Sequence, residues 1–238
     1  MYGTVQNGSA SGRKARVIAN TIEAHVWNSC PTAFDVVALA ASAGGLAALR
    51  SILERLPFDF AVPILILQHR ACRDSEQDVL VTLLRKWSNP QVMLGCHGMR
   101  LTSGVAYVAP PGRHLLLSKD RRIQLSDESP VRHNKPSADL LFASLAAHFG
   151  SRLIVAVLSG SRNDGAVGVV SVKACGGTVL VQDPATASCA GMPRAAISTG
   201  CADFVLPIDR IGDALTTLAM VPGAADLFSR SQSGRATQ

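Results

Sequence analysis

Residues 35–50, DVVALAASAGGLAALR, restrict the fold more than any other stretch of the chain. Val36 to Leu39 form a continuous apolar run of β type, the pattern of a strand buried on both faces. A turn of small residues follows with Ser42 at its apex, and Leu46 and Leu49 then take up helical spacing. A strand–turn–helix of this kind exposes the Ser42 hydroxyl beside the first backbone N–H groups of the new helix. Ala40, Ala41, Ala43, Gly44 and Gly45 allow another segment or a substrate to approach the backbone closely. The stretch supplies neither G-x-G-x-x-G nor a P-loop with its lysine, which argues against nucleotide binding.

A nucleophilic serine needs a base and an orienting acid, and the chain offers both at comparable positions. Pro63-Ile-Leu-Ile-Leu-Gln-His69 is a second apolar run, ending on a histidine. Leu153–Leu158 is a third and leads into Ser159-Gly-Ser-Arg-Asn-Asp164-Gly165. Parallel strands covered on both faces have this composition, and open α/β sheets place their sites at the carboxyl ends of such strands. Taken singly, Ser42 also fits a helix cap, His69 a hydrogen-bonded strand end and Asn163-Asp164-Gly165 an ordinary turn. Taken together they point to one site. Ser42 would attack, His69 would accept its proton, and Asp164 would fix the His69 tautomer and stabilise its cation.

The rest of the chain fits one α/β domain. Strands are expected at Val105–Ala109, Leu115–Leu117, Arg122–Leu125, Gly177–Gln182 and Phe204–Pro207. The first three of these, around Pro110-Pro-Gly112, read as a small antiparallel excursion. Helices are expected at Ser137–Phe149 with Ser137 as cap, at Ala166–Ala174, and at Pro193–Thr199 with proline in the first turn. The fold class is therefore α/β: a doubly wound, mostly parallel sheet with helices on both faces and a small antiparallel hairpin. The domain is expected over 34–224, between a partly flexible N-terminal extension (1–33) and a polar C-terminal tail (225–238). Six cysteines are scattered without C-x-x-C spacing, which indicates reduced thiols and neither a disulfide framework nor a zinc site. The net charge of +6 comes from dispersed Arg and Lys without interleaved aromatics, so no nucleic-acid partner is expected. No apolar run is long enough for a membrane span, and the N-terminus has no signal-peptide core, so the expected location is the cytoplasm.

Longer blocks carry a specific resemblance. ASAGGLAALR (41–50), LQHR (67–70), GVAYVAPPGRHLLL (104–117), KPSADLLFASLA (135–146), VLSGSRNDGAVG (157–168), KACGGTVLVQDPATASCAGMPRAAI (173–197) and VLPIDRI (205–211) occur in order. Over roughly residues 34–215 the chain resembles the catalytic domain of the chemotaxis protein-glutamate methylesterases, the CheB family. That family uses serine, histidine and aspartate in this chain order, unlike α/β-hydrolases, where histidine comes last. The resemblance implies Ser42, His69 and Asp164 as catalytic residues, and backbone amides near Ala43 and Ser161 as the oxyanion hole. It implies Met192 and Arg194, in Gly191-Met-Pro-Arg194, near the active site; their alternative role is to shape a loop and start a helix.

The chain departs from the family pattern at several points. Ala40 replaces a glycine before the nucleophile, Ser161 a methionine and Arg162 a glycine, and Arg70–Glu76 replaces the usual Pro-Pro-Gly-Phe-like loop. Arg162 thereby becomes a candidate substrate contact. Two-domain family members add a receiver domain that needs about 110 residues or more, which residues 1–33 do not supply. The resemblance implies a monomeric serine hydrolase without metal or organic cofactor. It would remove methyl esters from glutamyl side chains on the cytoplasmic helices of methylated chemoreceptors, release methanol, and be capable of deamidating glutamine. A non-catalytic docking module of the same fold and a general esterase are the alternatives.

Overall fold

Short apolar runs become strands here because helices cover both of their faces. The computed structural model describes residues 32–71, 78–221 and 224. The expected 1–31 part of the extension, most of the Arg70–Glu76 loop and the 225–238 tail lie outside the described residues.

Seven strands form the main sheet, all parallel: β1 (Val36–Ala41), β2 (Ile64–Gln68), β3 (Gln91–Leu94), β4 (Val105–Val108), β7 (Leu153–Val157), β8 (Thr178–Gln182) and β9 (Phe204–Leu206). Their spatial order is β3-β4-β2-β1-β7-β8-β9. β5 (His114–Leu117) and β6 (Ile123–Ser126) pair antiparallel as a separate hairpin. The expected doubly wound sheet with its small hairpin is thus the architecture found. One expectation is corrected: Val105–Val108 does not join the antiparallel excursion but pairs in parallel with both β2 and β3. Every residue of β4 is buried, so it needs neighbours on both sides and cover on both faces.

The strand period of two divides each strand between two cores. Val37, Leu39 and Ala41 of β1 face one, with helices α1 (Gly45–Leu53), α2 (Val79–Trp87) and α6 (Ile208–Met220). Val36, Ala38 and Ala40 face the other, with α3 (Ala138–Phe149), α4 (Ala166–Ala174), α5 (Gly191–Ser198) and the hairpin. Asp78 caps α2 and Ser137 caps α3, each accepting a backbone N–H of the first turn. α5 starts two residues before the expected Pro193, which therefore sits at its third position. That is still within the first turn, where the missing N–H costs nothing.

Candidate active site

Strand register brings the three candidate residues together. Ala41 pairs with Gln68, so the next residues along, Ser42 and His69, leave the sheet side by side. The His69 N–H donates to the Ala41 carbonyl at 3.0 Å. On the other flank Ala40 pairs with Val157, and the Ser42 N–H donates to the Ser159 carbonyl at 2.8 Å. The sheet winds outward in both directions from β1, so this rim is a topological switch point, where open α/β sheets form a crevice.

The turn after β1 is shaped by Gly44, whose φ of 75° belongs to the left-handed region. A Cβ there would also lie 2.5 Å from the Ser188 Cβ and 2.7 Å from the Ser159 Oγ. The small residues of the turn therefore admit segments of the same chain. Gln68 packs from the other side. Its amide donates to the carbonyls of both Ser42 (2.7 Å) and His69 (3.1 Å), which ties the two loops together.

Asp164 is 1% exposed and lies against His69, with Oδ2 2.9 Å from Nε2. Three more donors hold it at the start of α3: Ser137 Oγ to Oδ1 (3.1 Å), Ala138 N–H to Oδ2 (2.7 Å) and Asp139 N–H to Oδ1 (3.2 Å). Burial pushes the Asp164 carboxyl up. The His69 hydrogen bond, the two backbone N–H groups and the His69 charge outweigh it, so the pKa ends below the usual carboxylate value. Asp164 is thus held as a carboxylate, and with Nε2 engaged, Nδ1 is the His69 nitrogen left for another partner. Among the described residues no hydrogen bond joins Ser42 Oγ to His69. Catalytic hydrogen bonds often tighten only with substrate in place.

The N–H groups of Ala43 and Ser161 have no acceptor among the described residues. The segments carrying them are pinned together, because Ser159 Oγ donates to the Ala43 carbonyl (2.7 Å) and accepts the Cys189 N–H (3.0 Å). Gln182, at the end of β8, accepts the Ser159 N–H at 2.9 Å. Among the described residues, two donors therefore stand free at the rim that carries Ser42, an arrangement suited to holding an anionic oxygen.

Arg162 and Arg194 are exposed and form no ion pair among the described residues. Arg162 is not among the residues with positive φ, so it needs no glycine backbone. Met192 is different. It is 0% exposed, and a Cβ on Gly160 would lie 2.1 Å from its sulfur. Met192 supports the Gly160 loop from below and does not stand at the surface beside Arg194. His114 is fully buried: it accepts the Ser137 N–H at Nδ1 (3.2 Å), and its Nε2 lies 3.2 Å from the Ser129 carbonyl. It braces the hairpin against the cap of α3. Sequence reasoning did not single out Gln68, Ser159, Gln182 or Asp139. The two glutamines had a signal, since each is a polar residue closing an otherwise apolar strand.

Comparison with known proteins agrees with this geometry. A model of the CheB methylesterase family matches residues 37–215. The chain is 41% identical over 184 residues to protein-glutamate methylesterase/protein-glutamine glutaminase 2 of Anaeromyxobacter dehalogenans, covering 77% of this chain but 53% of the relative. It is 36% identical over 180 residues to a Leptospira interrogans relative that carries the same paired name provisionally, covering 76% of this chain and 92% of that one. The crystal structure of the Thermotoga maritima CheB methylesterase catalytic domain superposes with a TM-score of 0.74 at 30% identity, over 78% of this chain and 99% of that one. With a single family model spanning the whole sheet and the site at its rim, the chain belongs to the CheB methylesterase family.

Proposed function

We propose that this chain is a protein-glutamate methylesterase in which Ser42, His69 and Asp164 carry the reaction. The observation behind the reading is the contact of half-buried His69 with buried Asp164, 2.9 Å apart, on the strand rim that presents Ser42. Ser42 Oγ attacks the ester carbonyl carbon as its proton passes to His69 Nδ1, while Asp164 holds Nε2–H and stabilises the cation. The N–H groups of Ala43 and Ser161 bind the oxyanion. Its collapse breaks the C–O bond to the methoxy group, which leaves as methanol with the proton from His69. Water, deprotonated by His69, then attacks the acyl-enzyme and releases the glutamate carboxylate and Ser42. The same steps with an amide release ammonia from glutamine. No metal or organic cofactor enters.

The substrate is a methylated chemoreceptor, engaged through its cytoplasmic helices by a monomeric enzyme in the cytoplasm. Among the described residues no helix is long and apolar enough to cross a membrane. Exposed Arg162 and Arg194 supply charge for an acidic helix surface, and Met192 sets their loop from beneath. Ser42→Ala should lower methanol release from methylated receptor by about 10⁴–10⁶-fold in kcat with little change in folding. Wild-type turnover by the folded variant would refute the assignment. Parallel assays on receptor and on a small methyl ester separate a receptor enzyme from a general esterase, and inactivity on both would favour a docking module.

A further inference from the structure

The site rests on a second buried carboxylate that the reaction does not use. The cap position of α4 is Gly165, which has no side chain to cap it, so the first N–H groups of that helix need an acceptor from elsewhere. Asp139, in the first turn of α3, supplies it. Its Oδ1 accepts the N–H groups of Gly165 (2.9 Å), Val167 (3.0 Å) and Gly168 (2.8 Å). Asp164, two residues before α4, returns the arrangement by accepting the N–H groups of Ala138 and Asp139 at the start of α3. Each helix is therefore capped by a carboxylate belonging to the other. The two carboxylates meet at Gly165, whose N–H lies 2.9 Å from Asp139 Oδ1 and 3.1 Å from Asp164 Oδ1.

We infer that Asp139 is a positioning residue: by fixing Gly165 it sets where the Asp164 carboxylate stands, and through Asp164 the orientation of His69. The inference rests on the triad reading given above. A structural cap alone would have to hold only α4. Asp139 holds the peptide adjoining the acid of the triad, and it places a second negative charge behind the His69–Asp164 pair. Burial, and the neighbouring Asp164 charge, push the Asp139 carboxyl up, opposed by the N–H groups of Gly168 and Gly165 and by Arg132. The charged and titratable groups around the pair are Asp164 from the β7 loop, His69 from β2, His114 from β5 through Ser137, and Arg132, whose Nη1 lies 3.9 Å from Asp139 Oδ2.

Asp139→Asn keeps an oxygen for the three N–H groups and removes the charge, so the variant should fold. Its kcat should fall about 10–100-fold with KM little changed, the scale of effect expected when a reacting group is displaced by a fraction of an ångström. The acid limb of its kcat/KM profile should move to lower pH, because His69 loses a nearby negative charge that favours its protonated form. Arg132→Gln, an exposed change that leaves the caps in place, should move the same limb the opposite way. Wild-type kcat and an unmoved limb in Asp139→Asn would overturn the inference, as would a loss of activity fully accounted for by loss of folded protein. If Asp139→Asn does not fold, an unmoved limb in Arg132→Gln overturns it instead. Asp164→Asn is the control for the underlying reading: if that variant keeps wild-type turnover, the triad itself fails, whatever Asp139 does.

Discussion

Five donors converge on the Asp164 carboxylate: His69, Ser137 Oγ, and the N–H groups of Ala138, Asp139 and Gly165. The same side chain holds His69 and caps a helix, so its ionisation bears on stability and, in the proposed mechanism, on turnover. Its pKa is lowered in the fold, which means the folded state binds its proton less readily than the unfolded chain. The stabilisation is fully present above the ordinary Asp value of about 3.9 and is lost as pH falls through the folded value. The raised Asp139 carboxyl works with the opposite sign: its ionisation costs stability, and the cost is relieved as pH falls. Asp164→Asn should lower stability at pH 7 by about 1–3 kcal/mol, since its NH₂ faces donors, and should flatten the fall of stability toward pH 3. Urea midpoints across that range measure both effects; an unchanged acid slope would contradict this account. Arg162 belongs to the same scale. If its charge selects the substrate, Arg162→Gly should lower turnover only on acidic helical esters. An equal rise on every ester would make it an obstruction.

Among the elements, the α3–α4 contact is the one on which the site depends. Gly168 allows it: a Cβ there would lie 2.8 Å from the Phe142 Cβ and 3.0 Å from the Asp139 Cα. Gly168→Ala should therefore spread the two helices, costing about 1–3 kcal/mol from overpacking despite the better helix propensity of alanine. It should also lower kcat, because the Gly168 N–H loses its hold on Asp139. Thermal denaturation and steady-state kinetics together test this, and a stabilised, fully active variant would contradict it. Much of this scale was legible beforehand. Ala166–Ala174 was read correctly from its apolar content after a glycine turn, and Ser137 as the cap of α3 from its place before Leu140 and Leu141. β3, α2 and α6 were not foreseen. β3 has only four residues at the sheet edge, whereas α2 and α6 do carry a helical period, with Leu80, Val81 and Leu84, and Ile211, Leu215 and Leu218, on their buried faces. The pairing of β4 was misread because a short apolar run between turns looks the same in a parallel ladder and in a hairpin. That Ser42, His69 and Asp164 lie on one rim was legible because each follows a buried strand, Asp164 after a short loop. Asp139 was not, because an acidic residue in a helix's first turn is ordinary, and its partners belong to a helix 27 residues later.

At the scale of the described domain, the sheet lies between two separate cores, with the candidate site on one rim. β1, β2 and β7 lie at the centre, and nearly every residue in them is buried. β3 and β9 are edge strands with partly exposed residues. Backbone amides of Val36–Ala41, Ile64–Gln68 and Leu153–Val157 should exchange slowest, near the global unfolding limit, and those of β9 should exchange through local opening. Hydrogen–deuterium exchange checks this, and equal protection at centre and edge would contradict it. Of the residues that depart from the family pattern near the site, Ala40 lies in a core, while Ser161 and Arg162 stand outside both cores, in the loop after β7. Sequence change there alters what the rim presents without repacking the interior.

Because His69 gives Nε2 to Asp164, the nitrogen that the proposed mechanism leaves for Ser42 is Nδ1, the one nearer the main chain. A base working through its distal nitrogen swings on a long lever, and small torsional changes move its tip widely. Here the lever is short, and its pivot is stitched to the strand that carries the nucleophile by the His69 N–H to Ala41 carbonyl bond. The gap between nucleophile and base is thus measured out chiefly by the ladder between β1 and β2 and only secondarily by side-chain torsions. Surface loops can diverge while that spacing stays fixed, and on the proposed mechanism a frame shift between the two central strands would silence the enzyme with Ser42, His69 and Asp164 all still present.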